Sequence, residues 1–356
     1  MKIFFIFILC TLFLSCSTAK KNENVDDSSD SELSDVDTVI GEEEYTDEDD
    51  ESGIASGTVC TGQAKCYDDL LEITCPSSGN DFYGQDAQYR DLCSSAGFVV
   101  TSSEKGVADS FTGLFWQRGL PDIYEGCTGG EPAGSLCLWQ EAIDYCKNLE
   151  EDGFSDWRLP AIVEISTLPD YGKSIPAIDQ LYFPETIPDY FWSSTVHKGF
   201  GDYSWVAYFN DGNADRFLQS KAHNVRCVRG RTFKNNTKFI RETFNGEYVL
   251  VNERTNFMWA DTCSNSQTWK EALKYCQVLV SAGFSDWRLP NVNELKTLLD
   301  YSLEDPATTF PSMPSQPFWS STTYSGYSEY GWYVSFMYGE VYYHTKSNFY
   351  HAKCVR

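Results

Sequence analysis

The sequence predicts an α+β protein in which two tandem domains, stabilised by disulfides, follow a disordered acidic tether. The string GFSDWRLP occurs twice, at 153–160 and 283–290, which indicates an internal repeat. Aromatic residues make up 15% of the 356 residues, a composition typical of β-rich packing. The chain also contains 13 cysteines behind an apolar N-terminal run, which indicates export to a compartment where disulfides form.

The first 16 residues, MKIFFIFILCTLFLSC, are typical of a signal peptide, because their apolar run is too short to span a membrane permanently. Leu14-Ser15-Cys16 is similar to a lipobox, so we expect lipidation at Cys16 and a place in the cell envelope, at the outer membrane or cell surface. A cut after Ala19 is the alternative, and it would secrete a soluble protein.

Residues 17–58 are predicted to form a disordered acidic tether. The stretch Glu23–Glu51 contains 15 Asp or Glu and no Lys or Arg, so it cannot bury enough apolar surface to fold. The chain beyond it is acidic as well, with 37 acids against 24 bases. Nucleic acid is therefore excluded as an expected partner.

The repeat extends on both sides of the duplicated string. At an offset of 130, residues 139–149 match 269–279 with the apolar spacing of an amphipathic helix, which we expect Gly153 and Gly283 to end. A second short helix is predicted after the string. Asn291 is its N-cap in the second copy, whereas Ala161 predicts a poorer cap and a shorter helix in the first.

The rest of each copy is predicted to be β-structure. Asp-Trp-Arg-Leu within the string is expected to be a buried strand, and alternating segments around Trp205 and Trp332 lead into hairpin turns. The predicted organisation comprises a short Cys-containing segment at 59–100, a first domain at 101–230, a basic linker at 231–246 and a second domain at 247–356.

The cysteine positions predict one long disulfide in each domain. Cys146 and Cys276 recur on the buried helix face, and each copy has one late partner, which gives Cys146–Cys227 and Cys276–Cys354. Further disulfide candidates are Cys127, Cys137, Cys66 and Cys75. Without Cys10 and Cys16 eleven cysteines remain, so one is expected to be free or bonded to another chain.

Several of these motifs together resemble the Lcl C-terminal domain family of bacterial exported domains. They are T-G-L-x-W-Q at 112–117, the W-x-x-A-x-x-Y-C helix, D-W-R-L-P, F-W-S-S and R-C-V-R, and the likeness covers 101–229 and 247–356. The segment with Cys66 and Cys75 looks like one that often precedes such domains. The resemblance implies a C-type-lectin-like fold, related in shape to domains that bind glycans or proteins.

The duplicated string could be a site or scaffold. An acid, a stacking ring and an arginine could bind or cleave a ligand, but two copies that differ elsewhere keep mainly what both folds need. We therefore predict a structural role for Asp156, Trp157, Arg158, Asp286, Trp287 and Arg288.

Ligand binding is instead predicted where the two copies differ. The loops after F-W-S-S-T carry the candidates Lys198, Phe200, Tyr203, Tyr324, Tyr327 and Tyr330, although these side chains could also simply pack. Residues 216–241 hold eight Lys or Arg and no acid, which fits a polyanion site, a dock for the tether or a solvated linker. Candidates there are Arg231, Lys234 and Lys238.

We expect a non-enzymatic binding or adhesion module of the cell envelope, with a glycan or protein ligand on a cell or matrix surface. One alternative is a glycan-acting enzyme that uses the repeated carboxylates Glu164, Glu294, Asp170 and Asp300. The other is a purely structural envelope protein. No cofactor is expected, and the four histidines have no metal-ligand spacing.

Overall fold

The computed structural model describes residues 58, 60–94, 97–232, 238–311 and 313–356. The predicted signal peptide, Cys16 and Lys234 lie outside these residues, as does the predicted tether except for Thr58. In the described part β-strands predominate and α-helices are few, which agrees with the α+β prediction.

An N-terminal segment, residues 60–94, precedes the first domain and contains the antiparallel pair β1 (Cys66–Tyr67) and β2 (Glu72–Ile73). The first domain consists of β3 (Phe98–Val100), β4 (Gly106–Asp109), β5 (Phe115–Gln117), α1 (Trp139–Asn148), α2 (Ile162–Ile165), β6 (Tyr190–Val196), β7 (Tyr203–Tyr208), β8 (Asn213–Leu218) and β9 (Val228–Arg229).

The second domain repeats this order. It consists of β10 (Phe239–Phe244), β11 (Glu247–Asn252), β12 (Met258–Cys263), α3 (Trp269–Val278), α4 (Val292–Lys296), β13 (Pro317–Thr323), β14 (Tyr330–Ser335), β15 (Glu340–Thr345) and β16 (Lys353–Val355). Each domain has its own four-stranded sheet, in the order β3-β4-β5-β9 in the first domain and β10-β11-β12-β16 in the second.

The four-stranded sheet of each domain begins before the predicted domain start, which was residue 101 for the first domain and residue 247 for the second. Strand β3 lies in the predicted Cys-containing segment, and β10 lies in the predicted linker, paired along its whole length with β11. The turn between β10 and β11 is Asn245-Gly246, with φ of 50° and 81°. This dipeptide is a strong hairpin signal, since both residues readily adopt positive φ.

The long helices end earlier than predicted. Helix α1 ends at Asn148, and Leu149 is already extended with φ −67° and ψ 126°. Gly153 has φ 78° and lies in the next turn, where Glu151 and Phe154 form a bridge. The glycine is therefore required by a tight turn after the helix and does not cap the helix itself.

The predicted strand within the duplicated string is reduced to a single bridge. Arg158 exchanges two backbone hydrogen bonds with Val228, at 2.8 and 2.9 Å. Arg288 pairs in the same way with Val355, at 2.9 Å for both bonds. Each string thus attaches the loop between two helices to the last strand of its domain.

The two domains share one six-stranded sheet in the order β13-β14-β15-β8-β7-β6. The central contact pairs Ala214 of β8 with Val341 of β15 in antiparallel orientation, and these residues occupy equivalent repeat positions. Because equivalent positions meet each other, the junction has local two-fold symmetry like that of a homodimer interface.

Side chains repeat the same symmetry at the junction. Tyr171 packs edge-on against Trp332 with ring centroids 4.9 Å apart, and Tyr301 packs against Trp205 at the same distance. All four rings belong to a buried cluster that includes both domains. The two domains therefore share much of their hydrophobic core.

Five disulfides connect described residues. They are Cys60–Cys93, Cys66–Cys75, Cys127–Cys137, Cys146–Cys227 and Cys276–Cys354. The two long bridges have the predicted partners, whereas Cys60–Cys93 was not foreseen. Cys263 takes part in a disulfide outside these five pairs.

Candidate functional site

The loops between β6 and β7 and between β13 and β14 present one exposed aromatic ring each. Phe200 is 46% exposed and Tyr327 is 62% exposed, and they occupy equivalent repeat positions. We call these side chains the aromatic tips. Both belong to the ligand-binding candidates predicted from the sequence.

The second domain supports its tip on buried tyrosines. Tyr324 and Tyr343 stack with centroids 4.1 Å apart and an interplanar angle of 3°, and Tyr327 lies 6.1 Å from Tyr324. Tyr330 contacts Tyr343 edge-on at 5.8 Å. Burial raises the pKa of both Tyr324 and Tyr343, so these phenols remain neutral at physiological pH. Tyr324, one of the predicted ligand-binding residues, is buried and packs against both Tyr327 and Tyr343.

Exposed aliphatic side chains lie beside Tyr327. Leu70 and Leu71 are 71% and 66% exposed, and the Ser328 hydroxyl donates a hydrogen bond to the Leu70 carbonyl. On the other side, Ser325 donates to the Lys173 carbonyl at 2.8 Å, two residues before the exposed Ile175. Sequence reasoning missed these residues, although two adjacent leucines inside a short Cys66–Cys75 loop are an unusual pair to leave unburied.

The first domain supports its tip differently. His197 is buried and stacks on Trp205 with centroids 5.3 Å apart, and Phe200 lies 5.3 Å from His197. Burial, with a smaller effect of Arg216, lowers the pKa of His197 to about 4, so its ring is neutral near pH 7. Tyr203 is 5.8 Å from Phe200, and Lys198 is exposed.

The two tips lie at opposite ends of the shared sheet. The loop of Phe200 adjoins the β7–β8 end where Tyr203 pairs with Leu218, and the loop of Tyr327 adjoins the end where Tyr330 pairs with Thr345. Because β8 and β15 are antiparallel about Ala214 and Val341, these ends point in opposite directions. The predicted loop residues therefore form two separate surfaces.

The duplicated string has the structural contacts expected of scaffold. Trp157 is 3% exposed, and Asp156 pairs with Arg229 at 2.6 Å, as Asp286 pairs with Arg356 at 2.9 Å. These ion pairs connect the string to the last strand of each domain. The partner of the Asp156 carboxylate is the guanidinium of Arg229.

The arginine of each string holds a buried carboxylate. Arg158 binds Glu164 through two hydrogen bonds of 2.6 and 2.7 Å, and Arg288 binds Glu294 with the same distances. Each glutamate also accepts a backbone N–H at the start of its short helix, at 2.7 Å from Ala161 in the first domain. At least three hydrogen bonds therefore hold each of these carboxylates within the fold.

A polar cleft of 740 Å³ lies between the N-terminal segment and the first domain, lined in part by Asp170, Asp179, Phe98 and Tyr182. Lys173 forms ion pairs with both carboxylates, at 2.9 Å from Asp170 and 3.4 Å from Asp179. The cleft combines acceptors with aromatic rings, which suits a polar ligand such as a sugar.

Several basic side chains of the stretch at 216–241 form contacts within the fold. Arg226 is fully buried and donates to the Gln117 and Arg118 carbonyls, and Arg229 pairs with Asp156. Arg216 pairs with Glu340 and Arg241 with Asp261. Arg231 and Lys238 are exposed, so they remain the described candidates from this stretch.

Neither a metal centre nor a membrane-crossing helix is found in the described ranges. No group of three or more His, Cys, Asp or Glu there is arranged to hold an ion. Likewise, none of the helices in that part combines the length and apolar character needed to cross a bilayer.

The fold and the two exposed loops define the class of this protein. It is an α+β tandem repeat stabilised by disulfides, and each repeat has one exposed loop with an aromatic tip. The family model of the Lcl C-terminal domain matches residues 105–229 and 248–356, and the chain therefore belongs to that family. This confirms the resemblance noted from the motifs. No curated protein matches the sequence.

Proposed function

We propose that this chain is a non-enzymatic binding or adhesion module of the cell envelope, lipid-anchored through Cys16, and that the aromatic tips contact its ligand. The observation that carries the proposal is the exposure of Phe200 and Tyr327 at equivalent positions. Exposed rings on a rigid support are suited to stacking on sugars or inserting into protein surfaces, because little side-chain entropy is lost.

Several features support binding over catalysis. Glu164 and Glu294, the repeated carboxylates of the enzymatic alternative, are buried in ion pairs with arginine. The C-type-lectin-like fold implied by the family is compatible with loops that carry specificity on a fixed scaffold. The acidic residues 17–58 then act as a spacer between the lipid anchor and the domains.

The test is an array of glycans and matrix proteins probed with residues 58–356 at low and high salt. We expect binding that weakens in Tyr327→Ser and in Phe200→Ser and is lost when the two are combined, because each substitution removes one of two separate exposed rings without disturbing the core. Val280→Ser, which replaces another exposed apolar side chain, is the matched control. Binding that persists in the double variant would contradict the proposal.

Glycan hydrolysis is a second candidate, favoured by the cleft that contains Asp170 and Asp179. It would be supported if an arrayed glycan were cleaved and Asp170→Asn abolished the cleavage. Such a result would also indicate that the cleft, and not the aromatic tips, is the main contact surface for the ligand.

A further inference from the structure

The N-terminal segment docks on the second domain through three groups. The Gln63 side chain bridges the backbone of Thr323, accepting from its N–H at 2.6 Å and donating to its carbonyl at 2.9 Å. Asp86 accepts a hydrogen bond of 2.7 Å from the Thr322 hydroxyl. The ring of Tyr89 lies 5.1 Å from the guanidinium of Arg288. Together these contacts cover the outer edge of β13 at Thr322 and Thr323.

The first domain has an equivalent face, which we call the open face: Arg158, Ser194, Thr195 and Val196. Val196 is 39% exposed, whereas its counterpart Thr323 is fully buried. The Arg158 side chain is 28% exposed, against 4% for Arg288. Ser194 is exposed as well.

The docking chemistry is retained on the open face. The Thr195 hydroxyl accepts the Ile162 N–H at 3.0 Å, as that of Thr322 accepts the Val292 N–H. In both cases the hydroxyl proton remains to be donated; that of Thr322 goes to Asp86, and that of Thr195 is available to a ligand. The ion pair of Arg158 with Glu164 has the same geometry as its counterpart.

The backbone groups are retained too. His197 N donates to Tyr203 O at 2.9 Å, and Tyr324 N donates to Tyr330 O at 2.9 Å in the second domain. Because alternate residues of a strand direct their N–H and C=O to opposite sides, both backbone groups of Val196 face the outer edge of β6, as those of Thr323 face Gln63. The outer edge of β6 therefore offers, at Val196, the N–H donor and the C=O acceptor that a bridging amide needs.

We propose that the open face binds a segment of a partner polypeptide whose chemistry matches the N-terminal segment. A primary amide would bridge the Val196 backbone, a carboxylate would accept from the Thr195 hydroxyl, and an aromatic ring would cover Arg158. The recognition is a form of edge-strand capture in which backbone groups give affinity and side chains give specificity.

The occupant is a different protein and not a second copy of this chain. Where the chain's own N-terminal segment docks on the second domain, Lys346 donates to the Asp68 carbonyl at 2.8 Å and Lys270 pairs with Asp81 at 2.6 Å. The first domain has Gln219 and Gln140 at the positions of these lysines. Two further contacts of the chain's own segment are therefore found in the second domain and have no equivalent in the first, so a peptide of that segment should still bind the open face, but more weakly than a dedicated partner does.

The probe is an oxidised synthetic peptide of residues 58–94, added to the otherwise intact chain, whose second domain is already covered. We expect one peptide to bind per chain. Binding should weaken at least tenfold with Gln63→Leu in the peptide or Thr195→Val in the chain. Val196→Pro, which removes the outward N–H but is tolerated on an edge strand, should have a similar effect.

The matched control is Val280→Ser, an exposed position on the second domain, which should leave peptide binding unchanged. Absence of binding would overturn the proposal, as would binding that is unaffected by both Thr195→Val and Val196→Pro. A chain-exchanged dimer formed through residues 60–94, observed by light scattering, would overturn the assignment to a different protein.

Discussion

Asp86 shows how a single buried carboxyl group couples the N-terminal segment to the second domain. It accepts hydrogen bonds from Thr61 and Thr322, both at 2.7 Å, and Glu294 and Arg288 also act on it electrostatically. Burial is the main cause that raises the pKa of Asp86 to about 6. The folded protein therefore holds a proton at this site at a pH where the unfolded chain has lost it.

Asp86→Asn should remove a pH dependence of stability. Because the folded pKa is above the ordinary value, the stabilisation from Asp86 is full below about pH 4 and is lost as pH rises through about 6. The stability of the variant relative to the parent should therefore rise by up to about 3 kcal/mol between pH 4 and pH 7.

The measurement is urea unfolding of both proteins across that pH range. Asp69→Asn changes an exposed carboxyl of the same segment and serves as the control. A constant difference between Asp86→Asn and the parent would contradict the prediction.

Individual residues were predictable where the pattern constrained them locally. Trp157 and Arg158 were predicted to be structural because identical residues in two diverged copies indicate a shared requirement of the fold, and both make contacts within the fold. The support role of Tyr324 was not predictable, since its stacking on Tyr343 depends on the pairing of distant strands.

The short helices α2 and α4 occupy equivalent positions in the two domains, but α4 has a good N-cap and α2 a poor one. The Asn291 side chain accepts the Glu294 N–H at 2.8 Å at the start of α4, whereas Ala161 offers no side-chain acceptor at the start of α2. The cap difference expected from the sequence is therefore present.

Exchange of these two residues should have opposite effects on stability. Asn291→Ala should lower the free energy of unfolding by about 1 kcal/mol, because it leaves a helix N–H without its acceptor. Ala161→Asn should raise the free energy of unfolding by a smaller amount, measured by urea unfolding at pH 7. Destabilisation by both substitutions would argue against capping as the cause.

Elements with a clear local signal were predicted well. The helices at Trp139 and Trp269 and the hairpin strands were located from periodicity and turn residues. The pair β10–β11 was missed because the basic residues around Arg241 suggested a linker, although Asn245-Gly246 marked the turn. Strand β10 thus shows that a cluster of basic residues is weak evidence against a strand.

The junction makes the two repeats one cooperative structure. Tyr171 and Tyr301 are each buried against a tryptophan of the other domain, and Lys296 donates to the Ser166 carbonyl at 2.8 Å and to the Tyr171 hydroxyl at 3.1 Å. The sequence predicted two domains but not this contact, because pairing of β8 with β15 leaves no periodic signal in either strand.

Tyr171→Ala should destabilise both domains together. Removal of a fully packed ring costs about 3–5 kcal/mol, and the loss falls on the shared core. We expect the single thermal transition of the parent to separate into two in scanning calorimetry, with Tyr301→Ala giving the same pattern. Phe349→Ala, at a 64% exposed ring, is the control. A uniform shift of a single transition would contradict the expected separation, and two transitions already present in the parent would show that the junction does not couple the domains.

The two aromatic tips point in opposite directions. In the proposed binding function, this arrangement determines how the density of the ligand on a surface affects binding. A small soluble ligand can occupy only one tip at a time, so its affinity is that of a single loop. Two ligands attached to different surfaces could be held by one molecule, which would act as a crosslinker. On a flexible or crowded surface that repeats the ligand, the second contact becomes intramolecular, and avidity should increase steeply above a threshold density of the ligand.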